Sequence, residues 1–403
     1  MTTLAMPRVG RFNPTAYGWS IILPVLILCL VGLSCIYATE AGLDPSAAGI
    51  PRGTVKQIVA IVMGVIAMML ICTTNYLHFG RLAYPLYWAM MCLLALLVVA
   101  RFVPLAPLIP EIRGSCRWIV IAGLQFQPSE FTKVAFVLAL ARYLRYRKNF
   151  RTFRGLIEPF LLTLLPMFLI LLEPDLGTVI LLLPVLFAML FVAGAKKKHL
   201  ALIVLLGLAS GPMFYFFVME DYQKTRIHVL LRQSDDDPRW LMNQGYQLEH
   251  SKTALGSGGI VGETFREGFL AGPYVRHRFL PDRHNDFIFS IVGHQWGLAG
   301  CLLVIACYGC IVLVGVEIAT QTADPFGRLL AVGMSVMIAT QAAVNIAMTM
   351  GLMPITGLTL PFVSFGTNSL LAGFLATGVM INVYQRRPVI LAKKPFEFGD
   401  EDE

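Results

Sequence analysis

The sequence predicts an all-α polytopic membrane protein with about ten transmembrane helices and a large extracytoplasmic loop between the seventh and eighth. Of its 403 residues, 57% are hydrophobic and 14% charged, and the mean hydropathy is +0.69, well above that of a soluble domain. Apolar stretches of about 18 to 22 residues, long enough to cross a bilayer, recur along the chain. We place them near 18–39, 56–74, 83–100, 129–145, 155–173, 177–195, 199–218, 287–316, 327–350 and 367–385.

Basic residues cluster in alternate connections between these spans, as the positive-inside rule requires. The clusters are Arg8 and Arg11, Arg81, Arg142 to Arg154, Lys196 to Lys198, Arg328, and Arg386 to Lys394. They all fall on one side if both termini are cytoplasmic, which agrees with an even number of spans. Membrane topology therefore explains the net charge of +8, and we predict no nucleic-acid partner.

The predicted spans divide the chain into three parts. Residues 1–17 form a cytoplasmic N-terminal segment, 18–385 the ten-span domain, and 386–403 a cytoplasmic tail. The loop 219–285 is placed outside, because long loops cross the membrane largely regardless of their charge. Four connections on the outer side hold nearly every polar residue that the topology does not require, so function is expected there.

The first of these connections, 101–128, leads into the fourth span at Pro128. Proline suits a first helical turn because its missing N–H costs nothing there. Glu130 and Lys133 follow three residues apart on one helix face, just inside the membrane. They form either an interfacial ion pair or a pair that faces substrate, and we favour the second because charges at this depth usually face a cavity.

The second and fourth connections are predicted to border the same region. The second is the short turn Glu173–Thr178, where Asp175 either caps the next helix or contributes to a site. The fourth, 351–366, carries no charge. Non-helical backbone this apolar is tolerated at membrane depth only where protein buries it or a cavity solvates it. We therefore expect a re-entrant or half-buried loop that lines the site.

The third connection, 219–285, is predicted to form short amphipathic helices on the outer leaflet, with Phe265, Phe269 and Leu270 facing lipid. Its glycines between 256 and 262 do not follow a strand of a βαβ unit, so a dinucleotide-binding fold is not expected. Their main-chain N–H groups remain candidates for contact with a pyrophosphate.

Asp286 stands where this loop meets the eighth span. A carboxylate at the centre of a membrane helix costs about 2.5 to 3.5 kcal/mol, and less toward the interface. The residue is therefore a functional-site hypothesis from its position alone. Asp282 is the competing carboxylate, but its polar Pro281-Asp282-Arg283 context indicates a solvated loop residue, so we favour Asp286.

Several short motifs run through these connections in a fixed order. They are Arg117-Trp118-Ile119; Gln127-Pro128-Ser129-Glu130 with Lys133; Pro174-Asp175-Leu176-Gly177-Thr178; Leu280-Pro281 with Asp286-Phe287-Ile288-Phe289; and Gly351-Leu352-Met353-Pro354 with Leu360-Pro361-Phe362-Val363-Ser364. Each is weak alone. As an ordered set over 113–385, they make the chain resemble the SEDS family of cell-wall proteins (shape, elongation, division and sporulation), whose members include RodA and FtsW.

The resemblance implies a peptidoglycan glycosyltransferase of the bacterial cytoplasmic membrane that polymerises lipid II during cell elongation or division. It also implies a class B penicillin-binding protein as the cross-linking partner, together with other membrane proteins of the cell-wall synthesis complex. In that family the acid of the Asp-Phe-Ile-Phe motif is required for polymerisation, and this role carries over to Asp286. The basic residues of two further motifs carry over to Arg117 and Lys133.

The chain departs from the family pattern beyond Asp286. Where members usually have a Glu-Glu pair, this sequence has His294 and Gln295, so a metal or positioning role of that pair does not carry over. His294 is either a neutral polar contact in place of one acid or a helix-packing histidine. The usual Ser-Tyr-Gly-Gly-Ser-Ser is replaced by the segment Ser364–Ser369.

The chemistry of lipid II polymerisation assigns roles to these residues. An acceptor hydroxyl must lose its proton to a general base, for which we predict Asp286, tuned by His284. Without an enzyme nucleophile, displacement inverts the anomeric carbon. Positive charge must meet the leaving diphosphate, and Arg117 and Lys133 are the candidates, with a divalent cation (Mg²⁺ or Mn²⁺) as a possible helper. The remaining substrate-binding candidates, each with a structural alternative, are Glu130, Asp175, Asn345, Ser364 and Ser369.

Two other functional classes fit the same sequence. A lipid II flippase or transporter would also need polar residues within the membrane and a broken segment like 351–366, although such sites lie near the midplane. A non-catalytic scaffold that recruits a transpeptidase would fit the replacement of the acidic pair by His294 and Gln295. The sequence does not distinguish a RodA-like role from an FtsW-like one.

Overall fold

The computed structural model describes residues 16–41, 50–103, 108–111, 115–121, 123–147, 149–217, 219–233, 245–263 and 285–386. Its helices are α1 (Ala16–Ala41), α2 (Arg52–Thr73), α3 (Tyr76–Ala100), α4 (Pro128–Tyr146), α5 (Ile157–Leu172), α6 (Leu176–Ala193), α7 (Lys197–Ala209), α8 (Gly211–Phe217), α9 (Asp221–Leu231), α10 (Tyr246–Ser257), α11 (Ile288–Gln321), α12 (Pro325–Thr349) and α13 (Thr367–Arg386). Two 3-10 turns, Asn149–Arg151 and Arg154–Leu156, lie before α5. The strands β1 (Ile119–Ile121) and β2 (Leu124–Phe126) form an antiparallel hairpin that the all-α prediction did not include.

All ten predicted spans correspond to helices of the structure. Within the described part of the chain, eight segments are long and apolar enough to cross a membrane. The predicted fourth and tenth spans are α4 and α13, which fall outside that set. Most of α4 is buried, including Glu130 and Lys133. Because surrounding helices shield it from lipid, α4 does not need an apolar surface on all sides.

Some predicted helix boundaries were wrong by several residues. The third helix begins at Tyr76 rather than 83, because Asn75 caps it: the side-chain oxygen accepts a hydrogen bond from the Leu77 amide at 3.0 Å. The second helix begins at Arg52 rather than 56. There the Glu40 carboxylate, at the end of α1, accepts from the Thr54 amide at 2.8 Å. The sequence prediction places the polar residues Asn75 and Glu40 in connections, which is why both helices begin earlier than predicted.

The core of the bundle is formed by α4 and α12. Helix α4 packs against α3, α6 and α12. Helix α12 also packs against α11 and α13. The last of the described helices, α13, lies along α2, where Asn382 donates hydrogen bonds to the carbonyls of Ile71 and Thr74 at 2.5 and 2.6 Å. In contrast, the span formed by α7 and α8 is almost entirely exposed, as expected for a helix surrounded by lipid.

The glycine-rich stretch after α10 packs against a kink in α11. Gly297 has φ +65°, a left-handed conformation that glycine adopts without steric cost, and it interrupts the helix. The amides of Leu298 and Ala299 donate to the carbonyls of Gly259 and Ile260 at 2.9 and 3.1 Å. The glycines therefore allow close approach of two backbones through the carbonyls of Gly259 and Ile260. Contact of the glycine N–H groups with a pyrophosphate stays a prediction.

Gly258→Ala is expected to destabilise this contact. A Cβ at Gly258 would lie 1.9 Å from the Gly293 carbonyl oxygen, and overpacking of this kind costs about 1 to 3 kcal/mol. The measurement is the melting temperature of the detergent-solubilised protein. The matched control is Gly256→Ala, two residues earlier in the last turn of α10, where an added Cβ meets no atom within 4 Å. That variant should be neutral or slightly more stable, and equal effects of the two substitutions would contradict the packing explanation.

Candidate active site

Polar side chains gather at one end of the bundle, which we call the loop end. It contains the hairpin, the 173–175 turn, the 351–366 segment, and the first residues of α4, α6, α11 and α13. As predicted, 351–366 is non-helical, and half of its residues are buried. An added Cβ at Gly177, in the first turn of α6, would lie 2.6 Å from Leu358 and 3.0 Å from the Thr356 carbonyl oxygen. The N-terminus of α6 therefore packs directly on this segment.

Glu130 and Lys133 form the predicted ion pair, and it is buried. Lys133 Nζ lies 2.8 Å from Glu130 Oε2, with 1% and 9% of the respective side chains exposed. The same ammonium donates to Gln341 Oε1 of α12 at 2.9 Å. A buried ion pair needs such additional hydrogen bonds to offset the cost of desolvation. The pair thus joins α4 to α12 under the loop end.

Gln341 extends this network to the 351–366 segment and α13. Its amide nitrogen donates to the Thr359 carbonyl at 3.0 Å and to Ser369 Oγ at 3.1 Å. Thr359 Oγ1 in turn donates to Ser369 Oγ at 2.7 Å. Ser369 therefore belongs to the same network as Lys133. Gln341 was missed from the sequence, although an amide side chain inside an apolar span is itself a signal.

Asp286 is held against the other part of the 351–366 segment. Asn345 Nδ2 donates to its main-chain carbonyl at 2.8 Å and to the Leu358 carbonyl at 2.6 Å. The side chain is beside Gly357, where an added Cβ would lie 3.7 Å from Asp286 Oδ2. Gly357 has φ +78°, which favours glycine. The half-buried carboxylate therefore lies against backbone that carries no charged side chain.

Ser364 connects Asn285, the neighbour of Asp286, to the first half of the bundle. Its hydroxyl donates to the Asn285 carbonyl at 2.6 Å and accepts from the Leu360 amide at 2.7 Å. Its carbonyl accepts from Gln57 Nε2 of α2 at 3.2 Å. Gln57 is 1% exposed and was not predicted to belong to the site. Asn345 and Ser364 thus shape the backbone around Asp286.

Arg117 and Asp175 lie together at the turn between α5 and α6. Arg117 donates through Nε and Nη2 to the carbonyls of Glu173 and Pro174, at 2.8 and 2.6 Å. Asp175 caps α6, which is one of the two roles predicted for it: its side chain accepts a hydrogen bond from the Thr178 amide at 3.3 Å. It also accepts from Ser129 Oγ at 3.3 Å, next to Glu130. This turn therefore adjoins the buried ion pair.

Glu173 is a buried acid in this turn to which the sequence assigned no role. Glu173 is 4% exposed, and both of its carboxyl oxygens lack a hydrogen-bond partner among the described residues. Burial, and to a lesser extent the nearby Asp175 charge, raise the pKa of Glu173 to about 9, while Arg117 opposes the shift. Both causes favour the uncharged carboxylic acid over the carboxylate.

Other predicted residues lie away from this network or outside the described residues. His284, Asp282, Phe265, Phe269 and Leu270 lie outside the described residues.

His294 lies where the glycine-rich stretch after α10 packs on α11. It is 1% exposed, and its Nδ1 is 2.8 Å from Ser257 Oγ. This position fits the helix-packing alternative. In the described ranges, no three His, Cys, Asp or Glu side chains are grouped to hold a metal ion.

The chain is similar in sequence to known proteins. A family model for the FtsW, RodA and SpoVE cell cycle proteins matches residues 19–388. The chain is 35% identical over 334 residues to a probable peptidoglycan glycosyltransferase FtsW of Geobacter metallireducens, covering 82% of this chain and 84% of that one. It is 31% identical over 368 residues to the peptidoglycan glycosyltransferase MrdB of Escherichia coli K12, covering 91% and 94%.

Solved structures share the fold. The crystal structure of the rod shape determining protein RodA of Thermus thermophilus matches with a TM-score of 0.65 and 29% identity, covering 92% of this chain and 98% of that one. A chain from a peptidoglycan synthase complex, studied for its coordination of polymerization and crosslinking, matches with a TM-score of 0.75 and 29% identity over the same shares of the two chains.

Proposed function

Since the chain belongs to the FtsW, RodA and SpoVE family and is a peptidoglycan glycosyltransferase, we propose that it polymerises lipid II with Asp286 as the general base. The observation that carries this proposal is the position of the Asp286 carboxylate. It lies beside Gly357 at the loop end, fixed through its main chain by Asn345. A general base must reach the proton that it abstracts, and an acid at this rim can meet a sugar attached to a membrane lipid.

The proposed reaction is a single displacement. The acceptor hydroxyl gives its proton to Asp286 while its oxygen bonds to the anomeric carbon of the donor. The bond from that carbon to the diphosphate breaks, and polyprenyl diphosphate leaves with the electron pair. Because no enzyme nucleophile takes part, the configuration inverts, so that an α-linked donor gives a β-linked strand.

Two basic residues are proposed to balance the charge of the leaving diphosphate. Arg117 has a planar guanidinium suited to phosphate oxygens, and it is half-buried at the turn between α5 and α6. Lys133 is bound to Glu130 and Gln341, so direct contact with a phosphate requires exchange of one of these partners. Glu130, Asp175, Asn345, Ser364 and Ser369 support the site by holding these groups and the 351–366 segment in place.

The setting of the reaction is part of the proposal. We propose that the protein lies in the bacterial cytoplasmic membrane with both termini in the cytoplasm, as the basic connections indicate. A class B penicillin-binding protein is the proposed transpeptidase partner, which is supported by the match to a chain of a peptidoglycan synthase complex. Relatives named FtsW and RodA both match most of the chain, so the proposal covers division and elongation alike.

Reconstitution in liposomes with a class B penicillin-binding protein and labelled lipid II tests this function. We expect glycan polymer on gels, and a partner inactivated in transpeptidation keeps the strands uncross-linked and easy to size. Movement of labelled lipid between leaflets without polymer would instead support a transporter. If neither polymer nor lipid movement is seen while the partner remains bound, the result would support a scaffold. Location of the polar network at one end of the bundle favours the polymerase, because transporter sites lie near the midplane.

A further inference from the structure

The C-terminal end of α5 is held by two arginines. Arg101 Nη1 donates to the Leu172 carbonyl at 3.0 Å, and Arg117 bonds the next two carbonyls. Cationic side chains are favourable at a helix C-terminus, where the last carbonyls lack intrahelical partners. The carboxyl group of Glu173 lies among these charges and lines a small cavity with Arg101, Ser115 and Cys116.

The charge state of Glu173 decides the net charge of this turn. Among the described residues, the charged side chains at this turn are the guanidinium groups of Arg101 and Arg117 and the carboxylate of Asp175, with Glu111 near Cys116 of the same cavity. Ionisation of Glu173 would add a further anion and lower the positive charge of the turn. The surroundings oppose ionisation, because the carboxyl group is buried without a hydrogen-bond donor among the described residues and adjoins a negative helix end.

We infer that Glu173 is a positioning residue for glycan polymerisation: as an uncharged acid it keeps the guanidinium of Arg117 available to the anionic diphosphate of the donor. The inference rests on the proposed role of Arg117 in binding that diphosphate. Glu173 itself does not contact the reacting atoms. An ionised glutamate at the same place would attract the guanidinium and compete with the diphosphate for it.

The test is the pH dependence of kcat and KM for lipid II, measured on the full chain with its partner from pH 7 to 10. In the parent protein, KM is expected to rise above pH about 9, by up to about tenfold per further pH unit, while kcat changes little. Glu173→Gln, a neutral isostere, should match the parent KM at pH 7 and remove the alkaline rise.

Cys116→Ser is the matched control. Burial and nearby acids such as Glu111 also raise the pKa of the Cys116 thiol, which lines the same cavity. This variant should keep the parent profile. The inference is overturned if Glu173→Gln retains the alkaline rise in KM, or if it lowers kcat equally at every pH, as a purely structural residue would. Absence of polymer from the parent protein would instead overturn the proposed function together with the inference.

Thermal stability gives a second, independent readout. The pKa of Glu173 is raised from 4.5 to about 9, so the folded protein holds a proton that the unfolded chain releases between these values. Stability of the parent therefore falls as pH rises through this window. Glu173→Gln lacks this dependence. The melting temperature of the variant minus that of the parent should therefore increase from pH 5 to pH 9. A constant difference between the two would show an ionised Glu173 and refute the inference.

Discussion

Asp286→Asn is expected to abolish detectable glycan polymerisation, lowering kcat by about 10²- to 10⁴-fold. The amide keeps the shape of the side chain but cannot accept the proton of the acceptor hydroxyl. The fold should survive, because the hydrogen bond from Asn345 reaches the main-chain carbonyl of this residue, which the substitution leaves in place. The measurement is polymer formed from labelled lipid II, together with the melting temperature.

Asp282→Asn is the matched control for this experiment. It removes the neighbouring carboxylate of the same loop, which we predict to be solvated and without a part in the reaction, so polymerisation should continue at the parent rate. A parent-like rate for Asp286→Asn would remove the catalytic assignment. Loss of activity in Asp282→Asn alone would transfer the role of general base to Asp282.

Lys133→Met is expected to have the second largest effect, on both stability and activity. It leaves the Glu130 carboxylate buried without its cation, which typically costs about 3 to 5 kcal/mol. The double variant Glu130→Gln/Lys133→Met replaces the pair with uncharged groups of similar size, and such replacements are often close to neutral for stability. We therefore expect the double variant to regain its melting temperature but not its polymerase activity.

The two readouts separate a structural ion pair from one that serves the substrate. If the double variant regains polymerisation along with stability, Lys133 acts only in packing. Lys252→Met provides the control, because Lys252 pairs with Glu249 at 3.0 Å on the surface of α10, with 31% and 45% of the side chains exposed. Exposed pairs contribute about 0 to 1 kcal/mol, so that variant should resemble the parent protein.

The helices, and the acid that we propose as general base, could be predicted from local properties of the sequence. Apolar length marks a span wherever lipid surrounds it, and a carboxylate beside a span is costly enough to indicate function. Asp175 was also interpretable, since an acid before an apolar run is a capping signal. These inferences need only the residue and its immediate neighbours.

Features that depend on distant contacts were not predictable in the same way. Gln57 and Gln341 join the network through carbonyls and side chains far away in sequence. The glycines near 258 pack against a kink about forty residues later in the chain. Their spacing therefore cannot be explained from the neighbouring sequence alone. The hairpin at 119–126 has strands of three residues each, too short for a periodic pattern to indicate it.

The links that α12 and α13 make to earlier parts of the chain set an order of events during synthesis. Ser369 belongs to α13 and contacts Gln341, while Asn382 of the same helix binds the end of α2. Membrane proteins emerge from the ribosome N-terminus first, so these contacts cannot form until nearly the whole chain has been inserted. We therefore expect a nascent chain to lack these contacts until α13 joins the bundle, and a chain truncated before α13 to lack the network that Ser369 completes.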